Sequence, residues 1–357
     1  MRAWAVVETG KPLKEIELPT PEPQGAQVLL EVTHAGVCHS DLHIWEGGYD
    51  LGSRGVMKLT DRGVTLPLAM GHEIVGRVVK LGPDAHNQGS KVGDLRVVFP
   101  WVGCGTCEAC QRDEENMCVT GRALGVFQHG GYATHVLATH VKHLVDIEGV
   151  DPALAATYAC SGITVYSAIN KLLPMNPKTP IVLVGAGGLG LQAIAILKAL
   201  GHQNICSVDI DATKLEAAKA QGASATVLAT ADGPATTKAI IAACGGPAMG
   251  VIDLVNGSAS SRFAFDALQK GGKLVQVGLF GGELQVPLPL MPMRALTIQG
   301  SYVGDVKELR ALIAIAKQGK IPAIPVELTP QKNADAVLNR LKNGKITGRV
   351  VLVGESA

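Results

Sequence analysis

Apolar and polar positions along this chain change their rhythm near residue 150. Before that point the apolar residues come in short β-rich runs, at Gln27–Thr33, Glu73–Leu81, Leu95–Phe99 and Tyr132–Ala138. The opening MRAWAVVETG adds a short strand and a turn, and the loops between runs are long and rich in Gly, Pro and charge. This pattern predicts a small mixed-β domain with functional loops. Beyond residue 180 continuous apolar runs alternate with amphipathic ones. Strands are expected at Ile181–Val184, Asn204–Val208, Val251–Val255 and Lys273–Val277. Helices are expected from the first strand to about Leu200, then at Ala212–Lys219, Thr236–Ala243 and Ser261–Gln269. Apolar strands alternating with helices predict a parallel, doubly wound sheet. After about 295 the alternation stops, with a strand at Leu296–Gln299, helices at Val306–Gln318 and Ala334–Lys342, and a last strand at Gly348–Val353.

A length of 357 residues with 47% apolar composition suits two domains with sizeable cores. The formal charge of +1 gives no electrostatic footprint for nucleic acid, so no such partner is expected. One stretch, Ile181 to Leu197, is nearly all apolar, broken only by Gln192, and approaches membrane-spanning length. Four glycines in its first ten residues weaken a helix there. A buried strand, a Gly turn and a buried helix fit better, and no membrane span is expected. No charged-then-apolar leader opens the chain, and cysteines at metal spacing argue for a reducing compartment, so a cytoplasmic location is expected.

The Gly turn itself reads Gly185-Ala-Gly187-Gly188-Leu189-Gly190, between a predicted strand and a predicted helix. In that context its glycines permit a tight turn, close backbone approach to a pyrophosphate and close helix–strand packing. The helix N-terminus offers free N–H groups to the phosphates. Asp209 closes the second strand 19 residues after Gly190, where a carboxylate grips a ribose diol and repels a 2′-phosphate. NAD is therefore expected rather than NADP.

Six of the eight cysteines fall at metal-ligand spacing. Cys104, Cys107, Cys110 and Cys118 follow C-x2-C-x2-C-x7-C, which suits a closed, structural zinc site. Paired disulfides or an iron–sulfur cluster are the alternatives for four such thiols. Cys38 in HAGVCHSDLHIW, His72-Glu73 in MGHEIVG and Cys160 in ATYACSGITVYSA are scattered, and each is weak alone. Together, two Cys and one His would leave a fourth metal position open to substrate.

The motifs GVCHSDLH, GHE, the four-Cys segment, Cys160 with TVY, GAGGLG and the closing GRVVL stand in the order found in zinc-dependent medium-chain alcohol dehydrogenases. The chain resembles that family over nearly its whole length. The resemblance implies an α/β protein with a mixed-β GroES-like catalytic domain and a Rossmann domain. The expected limits are 1–160 for the catalytic domain, with the zinc lobe at about 100–120, then 161–294 for NAD binding, and 295–357 returning to the catalytic domain. It implies two zinc ions per chain, with Cys38, His72 and Cys160 as ligands of the catalytic one. Ser40 resembles the hydroxyl that bonds the reacting alcohol, His43 the outer end of a proton relay, and Glu73 a carboxylate able to approach the metal. Asp41 resembles the carboxylate that orients a ligand. His39 and Arg349 correspond to phosphate contacts, Thr164 to a residue packed on the nicotinamide, Val277 to a further cofactor contact, and Lys214 to a second ribose contact beside Asp209. Trp101 is a candidate pocket wall.

The implied activity is hydride transfer between NAD and a primary or secondary alcohol. A zinc-free reductase of the same superfamily or a non-catalytic NAD-binding protein are the rival readings. Both are disfavoured because the ligand cysteines and the relay residues are all present. The stretch from residue 46 to 70 departs from shorter microbial members as a long loop. The chain also lacks the longer insertion of dimeric animal-type enzymes between Cys118 and Cys160, which favours a homotetramer of the microbial type.

Overall fold

The computed structural model describes residues 1–355, arranged around two large sheets. The parallel sheet has six strands in the spatial order Ala225–Leu228, Ile205–Asp209, Ile181–Val184, Ala248–Asp253, Leu268–Gln276 and Thr297–Gly300. All neighbours in it are parallel. The chain starts in the middle, winds to one edge, and returns to build the other half. A crevice opens at the carboxyl ends where the winding reverses, between Ile181–Val184 and Ala248–Asp253. The four residues Ile181–Val184 are buried on both faces, which is why their sequence is apolar without alternation.

The second sheet runs Leu144–Asp146, Leu95–Val98, Glu73–Leu81, Val28–Gly36, Arg349–Val353 and Val326–Pro330, and His135–Ala138 also pairs with Val28–Gly36. Val351 lies opposite Gly36, so the last strand of the chain docks beside a strand from its beginning. This return places Arg349 near Cys38 and Glu73. One apolar core spans both units, running from Phe99 and Trp101 through Cys160 to Ile194 and Leu312. No described helix is long and apolar enough to cross a membrane.

Two expectations are corrected and one element is added. The strand Thr297–Gly300 pairs with Leu268–Gln276 and completes the parallel sheet, so the return to the first unit falls after it rather than at 295. Residues 46–70 are more than a loop. They contain a hairpin, Gly48–Asp50 with Val56–Lys58, whose tip reaches the nucleotide-side unit through Ser53 Oγ donating to Glu283 Oε1 at 2.6 Å. The sequence reading also passed over the helical run Pro152–Asn170. Its start carried a usable signal: the Asp151 side chain accepts from the Ala153 and Leu154 N–H groups, and Pro152 takes the first helical position.

Candidate active site and metal centres

Cys38 ends the segment after Val28–Gly36 and caps the helix His39–Glu46. His72 precedes the neighbouring strand Glu73–Leu81, with Glu73 in register with Gly36. Cys160 lies in a single π-turn, Tyr158–Gly162, within the helical run missed above. Such π-turns often mark functional positions because they re-aim one side chain. This one is pinned by a buried polar set: Ser161 Oγ donates to Thr157 O and Gln192 Oε1, both at 2.8 Å, and Gln192 Nε2 donates to Thr157 Oγ1 at 3.2 Å. Gln192, the one polar residue in an otherwise apolar run, is thus satisfied at the base of the site.

The ligand-type atoms of Cys38, His72 and Cys160 lie within 4.8 Å of one another, and all three residues are buried. The two sulfurs are 3.9 Å apart. His72 Nδ1 stands 3.2 Å from Asp41 Oδ1, and both ring nitrogens are buried without a hydrogen-bond partner. A buried, unpartnered nitrogen beside two thiols is costly unless a cation fills the gap, and this donor set suits zinc. The Cys160 thiol, assisted by His72, draws the Cys38 thiol well below its usual range against the opposing effect of burial. Asp41 holds the assembly from behind. Its Oδ2 accepts from the Cys38 N–H at 2.9 Å and the Tyr132 hydroxyl at 3.0 Å, and its Oδ1 accepts from the Gly71 N–H at 3.3 Å. Tyr132 escaped the sequence reading; it lies 91 residues from Asp41 and carries no local motif.

Glu73 and Arg349 form a buried ion pair in which the guanidinium also donates to Val37 O at 2.9 Å. Glu73 Oε1 accepts from the Ser161 N–H at 3.0 Å. Both carboxylate oxygens are therefore engaged by protein, and Glu73 lies outside the three-residue donor set. Burial pushes its carboxyl up to about 7 against the pull of Arg349. Burial works against the Arg349 charge too, but Glu73 and Cys38 outweigh it and the guanidinium is held more firmly charged than usual. Both values rise, but with opposite effect on charge: burial outweighs the partners of Glu73 and disfavours its charge, whereas the partners of Arg349 outweigh burial and favour its charge. Arg349 was expected at the phosphates, and its side chain does reach the Gly turn: a Cβ on Gly188 would lie 2.3 Å from Arg349 Cδ.

Ser40 Oγ is 3.9 Å from Cys38 Sγ, beside the donor set. His43 lies one helical turn on, with its ring 4.7 Å from that of Tyr49. Burial lowers the His43 pKa, which favours a neutral, proton-accepting imidazole. His39 is also lowered, first by burial and then by like charge from His43, Arg349 and Lys214. Arg349 and Lys214 are thus each within electrostatic reach of His39. Thr164 Oγ1 is buried without a partner, and Val277 is buried just past the fifth parallel strand.

The Gly turn closes the crevice on the nucleotide side. Gly185 has φ +106°, a conformation that L side chains rarely adopt, and a Cβ on Gly190 would lie 2.1 Å from Gly185 O. A Cβ on Gly187 would meet nothing within 4 Å, so the turn leaves room above the N-terminus of the helix Gly188–Ala199. Leu189 is half-buried in its first turn. Asp209 reaches across from the second strand, accepting from the Ala186 N–H at 2.7 Å through Oδ2 and from the Asp211 N–H at 3.0 Å through Oδ1. These features fit a dinucleotide pyrophosphate and ribose.

The second donor set is the four-Cys cluster, whose sulfurs also lie within 4.8 Å of one another. Cys107 and Cys110 sulfurs are 3.5 Å apart, too far for a disulfide. Backbone N–H groups of Cys107 and Cys104 donate to the sulfurs of Cys104 and Cys118, each at 3.3 Å. The Thr106 hydroxyl leads the groups that draw Cys104 down to about 5. Four thiols gathered this way form a closed donor set of the structural-zinc type. Glu115 fixes the lobe to the body: it accepts from the Gly103 N–H at 2.8 Å and faces His143 Nε2 at 3.2 Å and Lys142 Nζ at 2.5 Å. Burial opposes its charge, yet these partners hold it down at about 2.

An open set of two cysteines and a histidine, a closed set of four cysteines and a dinucleotide turn define the class: a zinc-type nucleotide-using dehydrogenase. Residues 24–149 match the alcohol dehydrogenase GroES-like domain and residues 188–318 the zinc-binding dehydrogenase domain. The NAD-dependent alcohol dehydrogenase of Sulfurisphaera tokodaii is 38% identical over 99% of this chain and 100% of its own length. The enzyme of the same name from Saccharolobus solfataricus is 37% identical over 99% of this chain and 100% of its own. The crystal structure of the alcohol dehydrogenase from Aeropyrum pernix superimposes with a TM-score of 0.89 at 29% identity, covering 99% of this chain and 100% of that one. The chain belongs to the zinc-type medium-chain alcohol dehydrogenase family.

Proposed function

We propose that this protein oxidises a primary or secondary alcohol with NAD, and reduces the aldehyde or ketone in reverse. The observation that carries this reading is the buried Cys38–His72–Cys160 set, with its unpartnered His72 nitrogens, joined to the Gly turn by Arg349, which pairs with Glu73 and packs against Gly188. Zinc, when bound by that set, supplies Lewis acidity to the substrate oxygen, and NAD supplies a hydride acceptor at its nicotinamide ring. Asp41 fixes the tilt of His72 and the N–H of Cys38, so the donors keep their places without rearrangement. Ser40 Oγ receives the substrate's hydroxyl proton, and His43 passes it towards solvent. His39 and Arg349 face the phosphates, Thr164 and Val277 pack near the nicotinamide, and Lys214 joins Asp209 at the ribose. Burial of the site strengthens each of these electrostatic contacts. Glu73 serves to anchor Arg349.

Ser40→Ala is expected to lower kcat/KM for alcohol oxidation by about 10²- to 10⁴-fold, the usual contribution of a positioned proton acceptor. His43→Ala should cost less and be partly rescued by proton-accepting buffers. Burial keeps His43 below its usual value of 6.5, so in the parent the relay contribution is lost as pH falls through that lowered value. Full turnover by His43→Ala at every pH, measured where chemistry limits the rate, would remove His43 from the relay.

The cofactor preference rests on Asp209. Neighbouring Ile210 and Asp211 supply no cation to receive a 2′-phosphate, and Lys214 comes five residues on. A clear preference for NAD over NADP in kcat/KM is expected. Asp209→Gly should weaken NAD and narrow the gap, since charge-assisted bonds to ribose contribute about 1.5–3 kcal/mol each. Equal or better efficiency of the parent with NADP would refute the assignment.

The same reading includes a cytoplasmic homotetramer. Phe280, Leu288 and Met293, in the segment that leads to the edge strand Thr297–Gly300, are 74%, 79% and 69% exposed, which supports self-association.

A further inference from the structure

Asp253 is fully buried at the carboxyl end of Ala248–Asp253, where the winding of the parallel sheet reverses. All four of its hydrogen-bond donors are uncharged. Its Oδ1 accepts from the Val255 N–H at 3.0 Å and the Asn256 N–H at 2.8 Å. Its Oδ2 accepts from the Ser260 hydroxyl at 3.0 Å and the Ser261 hydroxyl at 2.9 Å. A carboxylate buried without a cation is costly, so its place here rests on those four bonds.

The bonds shape a lip, Leu254–Gly257. Asn256 is left-handed, with φ +58°, a conformation that Asn tolerates better than most residues. Its Nδ2 donates to Gly278 O at 3.0 Å, and its Oδ1 accepts from Gln276 Nε2 at 2.9 Å. The Asp253 carbonyl accepts from the Val277 and Gly278 N–H groups at 2.9 and 3.1 Å. The ends of two neighbouring strands are thus tied through one acid and one amide. The lip also faces the Gly turn. A Cβ on Gly185 would lie 3.1 Å from Val255 Cγ2, and a Cβ on Gly278 would lie 2.2 Å from Val255 O. The lip is therefore held between the Gly turn and Val277–Gly278, at the switch point where a dinucleotide binds.

We propose that Asp253 is a positioning residue for the dinucleotide, holding the lip Leu254–Gly257 in its cofactor-binding shape through Asn256 and the Ser260–Ser261 pair. This rests on the NAD-dependent reading above and adds a residue that acts on the cofactor without touching it. A lip without this hub must be ordered at each binding event, and that cost falls on affinity. The requirement is for the hydrogen-bond pattern and not for the charge. An Asn at 253 can keep the pattern: its oxygen accepts from the two backbone N–H groups, and its NH2 group donates to Ser hydroxyls that rotate to accept.

The experiment uses the full-length, zinc-loaded enzyme and reads NADH binding by fluorescence well below the Tm of each variant, with Tm measured alongside. Asp253→Ala is expected to weaken NADH about tenfold or more, and Asp253→Asn to stay within about threefold of the parent. Asn256→Gly keeps the left-handed backbone and loses only the side-chain ties; it should weaken NADH about fivefold. That variant decides the matter if Asp253→Ala does not fold. Parent-like NADH affinity in Asp253→Ala or Asn256→Gly, even with a lowered Tm, would reduce the hub to a structural role and overturn the proposal. So would an Asp253→Asn variant as weak as Asp253→Ala. Failure of the underlying reading looks different: the parent itself would bind no NADH, and the positioning role would fall with it.

Discussion

Cys160→Ala will leave the protein folded with one zinc per chain instead of two and will lower kcat/KM for alcohol oxidation by about 10³-fold or more. That magnitude reflects the loss of several kcal/mol of Lewis-acid stabilisation, at about 1.4 kcal/mol per factor of ten. Cys160 is 5% exposed and sits in the π-turn held by Ser161, Thr157 and Gln192, none of which bonds through its sulfur. The turn should therefore survive the loss of the thiol. Elemental analysis, NAD reduction and circular dichroism together check the claim. Two zinc ions retained, or turnover within tenfold of the parent, would remove Cys160 from the ligand set.

The second large effect belongs to the four-Cys lobe and falls on stability. Its sulfurs cluster within 4.8 Å, but the lobe contributes little to the apolar cores; Cys110 is its one buried cysteine. Metal binding must then supply much of its folding free energy. Cys107→Ala is expected to lose one zinc and to lower Tm by about 10 °C or more, on the scale of a few degrees per kcal/mol. Activity should fall in step with the fold, because the lobe also braces the body. Lys307 Nζ pairs with Asp113 at 3.1 Å, and Asn116 holds the Tyr302 backbone. Loss of zinc with an unchanged Tm would show that the cluster does not support the fold.

The pattern of apolar positions determined much of the architecture. Burial on both faces makes the central parallel strands continuously apolar, so Ile181–Val184 and its neighbours were legible, as was the winding they imply. The Gly turn was legible because a tight, φ-positive turn and a helix packed against it leave few choices but glycine. The four-Cys cluster was legible because its ligands are close in sequence, and local spacing is what a motif records. Asp209 was legible for a similar reason, at a fixed distance from Gly190.

The tertiary structure decided the rest, wherever contacts join residues far apart in the chain. Spacing alone could not bring Cys38, His72 and Cys160 together; only resemblance suggested it, and strand pairing with one π-turn achieves it. The ion pair between Glu73 and Arg349 spans 276 residues, and it gives Glu73 an anchoring place where the sequence suggested approach to a metal. The strand Thr297–Gly300 joined the parallel sheet although the helix–strand alternation had already stopped, because strand membership is set by the edge available and not by the preceding pattern. Tyr132 opens a run that the pattern predicts as a strand, but nothing in the sequence marks it as a partner of Asp41. Its hydroxyl reaches Asp41 from 91 residues away, a contact that depends on the whole fold. Local chemistry is written in neighbouring residues, whereas a pocket wall is a sum of distant ones.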